Sequence, residues 1–76
     1  MTLKELLQVT DLSTKIKVEE LNTTMEVGHE YGPDYPDEHI YNLPQEVLNS
    51  KVFYVELCTR KGVSIQISVI NKEFHI

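Results

Sequence analysis

The sequence predicts an α+β domain of element order α-β-β-α-β-β, a four-stranded, mainly antiparallel sheet with two short helices on one face. Three observations predict it: a helix-capping signature near the start, two pairs of alternating apolar and polar segments joined by turn residues, and a proline-led helical segment between those pairs. With 76 residues the chain makes one small domain, 1–76. A domain of this size buries only about 60% of the surface its unfolded chain exposes, so its core is modest.

The first helix is expected over about residues 2–9. In "TLKE" the Thr2 hydroxyl can accept the third backbone N–H while Glu5 reaches back to the cap's own N–H. Leu3, Leu6 and Leu7 then share one stripe, and Thr10, Asp11 and Ser13 end the helix because their side chains compete for backbone groups. A first hairpin follows at about 14–31. "TKIKVEEL" alternates Ile16 and Val18 with charged residues, "NTT" supplies the turn, and "MEVGHEY" places Met25, Val27, His29 and Tyr31 on one face.

A loop is expected over about 32–42, where "GPDYP" interrupts regular structure twice through prolines that lack an N–H. "NLPQEVLNS" predicts the second helix, about 43–49, with Pro44 at its first position and Glu46 in its first turn. The last hairpin spans about 51–70, "KVFYVELCTR" and "VSIQISVI" meeting at Lys61-Gly62. Phe53, Val55, Leu57 and Thr59 are expected to face the helices, leaving Val52, Tyr54, Glu56 and Cys58 on the open face. "NKEFHI" continues the strand or packs as an apolar end. The two halves share an order of helix then hairpin, and "KVEEL" resembles "YVEL", a likeness short enough to arise by chance.

The net charge of −5 is unevenly spread. Residues 18–50 contain no lysine or arginine and eight acids: Glu19, Glu20, Glu26, Glu30, Asp34, Asp37, Glu38 and Glu46. That interval carries −8 and the remainder +3. Such a block repels phosphate and attracts cationic surfaces, which disfavours direct nucleic-acid binding through a basic patch. No window approaches the roughly 20 apolar residues needed to span a bilayer, so no membrane partner is expected. A single cysteine, Cys58, leaves no internal disulfide and fits a reducing cytoplasm, the expected location.

"GHEYGPDYPDEHIY", residues 28–41, gathers two of the three histidines, three of the four tyrosines and four carboxylates. His29, Asp34, Asp37, Glu38 and His39 are donor types that suit zinc or a harder divalent ion, yet their spacing matches no compact ligand motif. Cys58 has no histidine at a telling distance, and no phosphate loop, nucleophile elbow or metalloprotease motif is present. The expectation is a non-enzymatic domain with no cofactor. The alternative is a small metal-dependent hydrolase or nuclease using His29, His39 and the neighbouring acids. The same composition suits a protein contact: Glu26, Glu30, Asp34, Asp37 and Glu38 can copy the charge spacing of a nucleic-acid backbone, with Tyr31, Tyr35 and Tyr41 as flat groups against a basic groove. A homodimer through the open sheet face or an exposed edge strand is the third reading.

"TLKELLQVTDLSTKIKVEEL", "LPQEVLNSKV" and "GVSIQISVI" together give a layout that resembles short proteins carried by phages and mobile elements of Gram-positive bacteria. The resemblance covers most of the chain, carries no catalytic motif, and leaves residues 28–41 as an insertion. It implies a small accessory protein, a class in which some members block host defence nucleases by occupying their nucleic-acid groove. The expected role is therefore an acidic protein-binding domain that inhibits a basic, nucleic-acid-handling host protein.

Overall fold

A computed structural model describes residues 1–22, 24–57, 62 and 64–70. The order is α1 (Leu3–Gln8), β1 (Ile16–Leu21), β2 (Val27–Asp34), α2 (Pro36–Asn42), α3 (Gln45–Leu48), β3 (Lys51–Leu57) and β4 (Ile65–Ile70). One four-stranded sheet runs β2-β1-β4-β3. Its two hairpins are antiparallel, and its central pair, β1 with β4, is parallel. The α+β class holds, with three short helices where the sequence predicted two.

The capping box of α1 forms as expected. Thr2 Oγ1 accepts the Glu5 N–H at 3.3 Å, and Glu5 Oε1 accepts the Thr2 N–H at 2.8 Å. That backbone hydrogen bond, followed by one from the Thr2 hydroxyl, holds the Glu5 carboxyl below its usual range. Asp11 ends the segment: its Oδ1 accepts the Ser13 N–H and hydroxyl, and these bonds lower its own pKa.

The core lies between the helices and one face of the sheet. Register pairs Ile16 with Ile65, Val18 with Ile67 and Glu20 with Val69, and paired residues project from the same face. Ile16, Val18, Ile67 and Val69 meet Leu3, Leu7, Leu43, Val47 and Leu48 in one buried cluster. The central strands thus hold the densest apolar contacts, and the two edges are left to β2 and β3. An internal repeat would put the first strand of each half in equivalent places, whereas β1 is central and β3 is an edge.

The expected loop over 32–42 is corrected. β2 continues through Gly32 and Pro33 to Asp34, because an edge strand has an unpaired side toward which a proline can turn its missing N–H. Gly32 takes φ 92, at a register shift where Ile16 faces Asp34 and Val18 faces Tyr31. Residues 36–42 form α2: Pro36 opens it with φ already set, Asp37 and Glu38 sit in its first turn, and Pro36, Ile40 and Leu43 are the buried or half-buried positions. Pro44, expected inside the second helix, is instead the N-cap of α3.

Two bulges correct the expected faces. Gly28 is the extra residue between the pairs Glu20–His29 and Leu21–Val27, so Val27 lies opposite in face to His29 and Tyr31. In β3 the shift falls between Val52, paired with Val69, and Tyr54, paired with Ser68. Val52 therefore shares the helix face with Val55 and Leu57 and packs on the core rather than facing outward. The open face is mostly polar across its width, carrying Glu30, Lys17, Glu19, Gln66, Ser68, Tyr54 and Glu56, with Leu21, Val27 and Ile70 at one end. The expected faces of Cys58 and Thr59, the turn residue Lys61 and the tail 71–76 lie outside the described residues; Gly62 does take positive φ, at 76.

Candidate acidic interface

The hairpin from β1 to β2 is organised by one side chain. Asn22 Oδ1 accepts the Thr24 N–H at 2.8 Å, the Thr24 hydroxyl at 2.7 Å and the Glu26 N–H at 3.0 Å. Met25 N–H donates to the Asn22 carbonyl at 3.0 Å, with Met25 at φ 66. The buried Asn22 side chain thus anchors an exposed turn that leads into Glu26, itself exposed at the start of the edge strand.

Four of the sequence-predicted acids are exposed in the segment that runs through β2 and α2. Glu26 precedes β2, Glu30 lies within it, and Asp37 and Glu38 occupy the exposed side of α2, which follows β2 directly. Exposed Tyr35 links strand to helix and accepts the Glu38 N–H through its carbonyl at 3.0 Å. Glu30 Oε2 is 3.2 Å from Lys17 Nζ on the neighbouring strand. That pair is solvent-accessible and adds little to stability. It leaves the segment acidic, because no lysine or arginine occurs from 18 to 50.

Other predicted residues serve the fold. Tyr31 is half-buried against the core, and Asp34 is half-buried at the end of β2. Burial raises the Tyr31 pKa first, and the negative charges of Glu20 and then Glu46 raise it further. The side chains of His39 and Tyr41, both on α2, lie outside the described set. His29 and His39 fall on different elements, β2 and α2.

One residue was missed by sequence reasoning. Glu20 sits on the helix face of β1, 3% exposed, with Oε1 3.5 Å from His29 Nδ1. A buried carboxylate against an imidazole, with Tyr31 and Glu46 within electrostatic reach, forms a small polar group inside the helix side of the sheet. Alternation placed Glu20 in the row of Ile16 and Val18, and a glutamate in an apolar row was the available signal. Among the described residues no three His, Cys, Asp or Glu side chains gather as a metal ion would need. No described helix is long and apolar enough to cross a membrane. A scan against protein-family models, and searches of curated proteins and of solved structures, found no match.

Proposed function

We propose that this chain is a non-enzymatic protein-binding domain that meets a basic partner through the border formed by β2 and α2. The supporting observation is the run of exposed Glu26, Glu30, Tyr35, Asp37 and Glu38 on two elements consecutive in the chain, β2 at a sheet edge and α2 after it. Carboxylates on an edge strand and the helix that follows it supply the negative charge that a groove built for a nucleic-acid backbone attracts. Tyr35 adds a flat amphipathic group of the kind favoured in interface centres. Half-buried Asp34 contributes charge to the same end of β2.

In its finer form the domain is a cytoplasmic accessory protein of a phage or mobile element, and it inhibits a host nucleic-acid-handling protein by competing for that groove. The test is a binding assay on a basic nuclease from a Gram-positive host, run at low and high salt and with duplex DNA as competitor. Binding released both by salt and by DNA supports the reading. Binding that persists unchanged after Asp34→Asn, Asp37→Asn and Glu38→Gln overturns it.

A further inference from the structure

The opposite edge of the sheet has a different chemistry. β3 ends in Phe53, Tyr54, Val55, Glu56 and Leu57, a run without glycine or proline, and Leu57 is 84% exposed. Phe53, Tyr54 and Val55 are about half exposed, at 54%, 55% and 47%. An edge strand of this kind offers unpaired backbone groups and apolar side chains together, the combination that edge strands ordinarily avoid. The first part of the same edge is already occupied by an antiparallel segment of the chain itself. Thr2 bridges Lys51, and the Val52 N–H donates to the Met1 carbonyl at 3.0 Å. Among the described residues that cover ends at Val52.

We propose that residues 53–57 pair antiparallel with the same residues of a second copy, on a two-fold axis through Val55, to give one continuous eight-stranded sheet. The backbone supports this register. Val52 turns its N–H outward to Met1, and the bulge that follows adds one residue, so the next outward-facing positions are Val55 and Leu57. Val55 then exchanges both hydrogen bonds with Val55 of the second copy.

Side chains in this register are self-complementary. Val55 opposes itself, and the Tyr54 hydroxyl lies opposite the Glu56 carboxylate on the open face, as an O–H donor facing an acceptor. No like charges oppose each other. An axis on Glu56 would instead set two carboxylates face to face. The charge of the whole chain favours this edge as well: each copy carries −5, and pairing through β3 keeps the two acidic borders at the far ends of the sheet. Seven inter-strand steps of about 4.8 Å separate the outer strands by roughly 34 Å. The assembly therefore presents two acidic borders on one rigid sheet.

The test measures mass in solution by light scattering and sedimentation across a concentration series, at low and high salt. The expected result is concentration-dependent growth from 8.8 kDa to twice that mass, strengthened by salt because two negative copies repel. Contact with a basic partner through the acidic border weakens with salt, so the two readings fail separately. Leu57→Lys and Val55→Pro abolish the dimer with far-ultraviolet circular dichroism unchanged, since Leu57 is exposed and the Val55 N–H points away from β4. Hydrogen exchange adds a direct readout, in which the Val55 and Leu57 amides slow as concentration rises. A constant mass of 8.8 kDa, or a dimer that survives both substitutions, overturns the proposal.

Discussion

The two edges of this sheet solve the same problem in opposite ways. β2 carries a bulge at Gly28, a second register shift at Gly32 and Pro33, and exposed Glu30, features that obstruct pairing with another strand. β3 has one bulge, at Phe53 near its covered start, and then four regularly paired residues, Tyr54 to Leu57, with Val55 and Leu57 exposed and apolar. Charge and irregularity make β2 a surface for electrostatic contact. Smoothness and apolar side chains make β3 a surface for strand pairing. The physical lesson is that an edge is protected by several devices acting together, and among the described residues β3 beyond Val52 has only the bulge at Phe53 and the single carboxylate of Glu56, with no glycine or proline.

The largest expected effect follows from removing the charge of one edge. Glu30→Gln, Asp37→Asn and Glu38→Gln together should slow association with a basic partner by about tenfold to a hundredfold at low salt, measured by stopped-flow or surface plasmon resonance. Dissociation should change less, and the difference from wild type should shrink at high salt. The next effect belongs to the other edge. Leu57→Lys should raise the dimer dissociation constant by about tenfold or more while leaving the thermal midpoint of the dilute protein unchanged. If instead the acidic triple variant altered dimerisation, or Leu57→Lys altered the salt-sensitive association, the division of labour between the edges would collapse.

The class of fold, the α1 capping box and the central apolar rows were legible because each rests on local periodicity or on a residue pair at fixed spacing. Ile16, Val18, Ile67 and Val69 alternate cleanly in sequence and are buried in the structure. What was not legible depends on single extra residues. Gly28 and the residue after Val52 each shift a strand by one, so Val27 and Val52 lie on the opposite faces from those that simple alternation gave them, while Tyr54, Val55, Glu56 and Leu57 keep their expected faces. α2 was hidden for another reason: Pro36 was read as a breaker, although proline favours the first helical position and Pro36, Ile40 and Leu43 recur at four and three residues. For the acidic segment, composition located the charge, and only the fold put β2 at an edge of the sheet with a helix after it.

Smaller effects sharpen the account of β2. Gly32→Ala should destabilise the domain by about 1 kcal/mol, because φ 92 is costly for a residue with a Cβ, and a urea titration would show it as a lowered midpoint with unchanged slope. Glu30→Val removes the exposed pair with Lys17 and makes β2 more like β3 in composition. Stability should change by no more than about 0.5 kcal/mol. Self-association should not increase in sedimentation either, since the glycine and proline irregularities remain. An increase would mean that charge alone guards this edge.

The smallest effect concerns how each edge is anchored. β3 grips the core through Val52, whereas β2 does so through Tyr31, whose phenol is half-buried near Glu20 and Glu46. Burial and those two carboxylates favour the neutral phenol, so the folded pKa lies above the unfolded value of about 10. Stability from this environment is fully present below about pH 10 and is lost as pH rises through the raised folded pKa, because the unfolded chain releases its proton first. Tyr31→Phe keeps the ring in place and removes the proton. Urea midpoints of the variant should match wild type at neutral pH and fall less steeply above pH about 10. Identical alkaline slopes would mean that β2 is held by its register with β1 alone, and that the contrast between the edges rests on their outward faces.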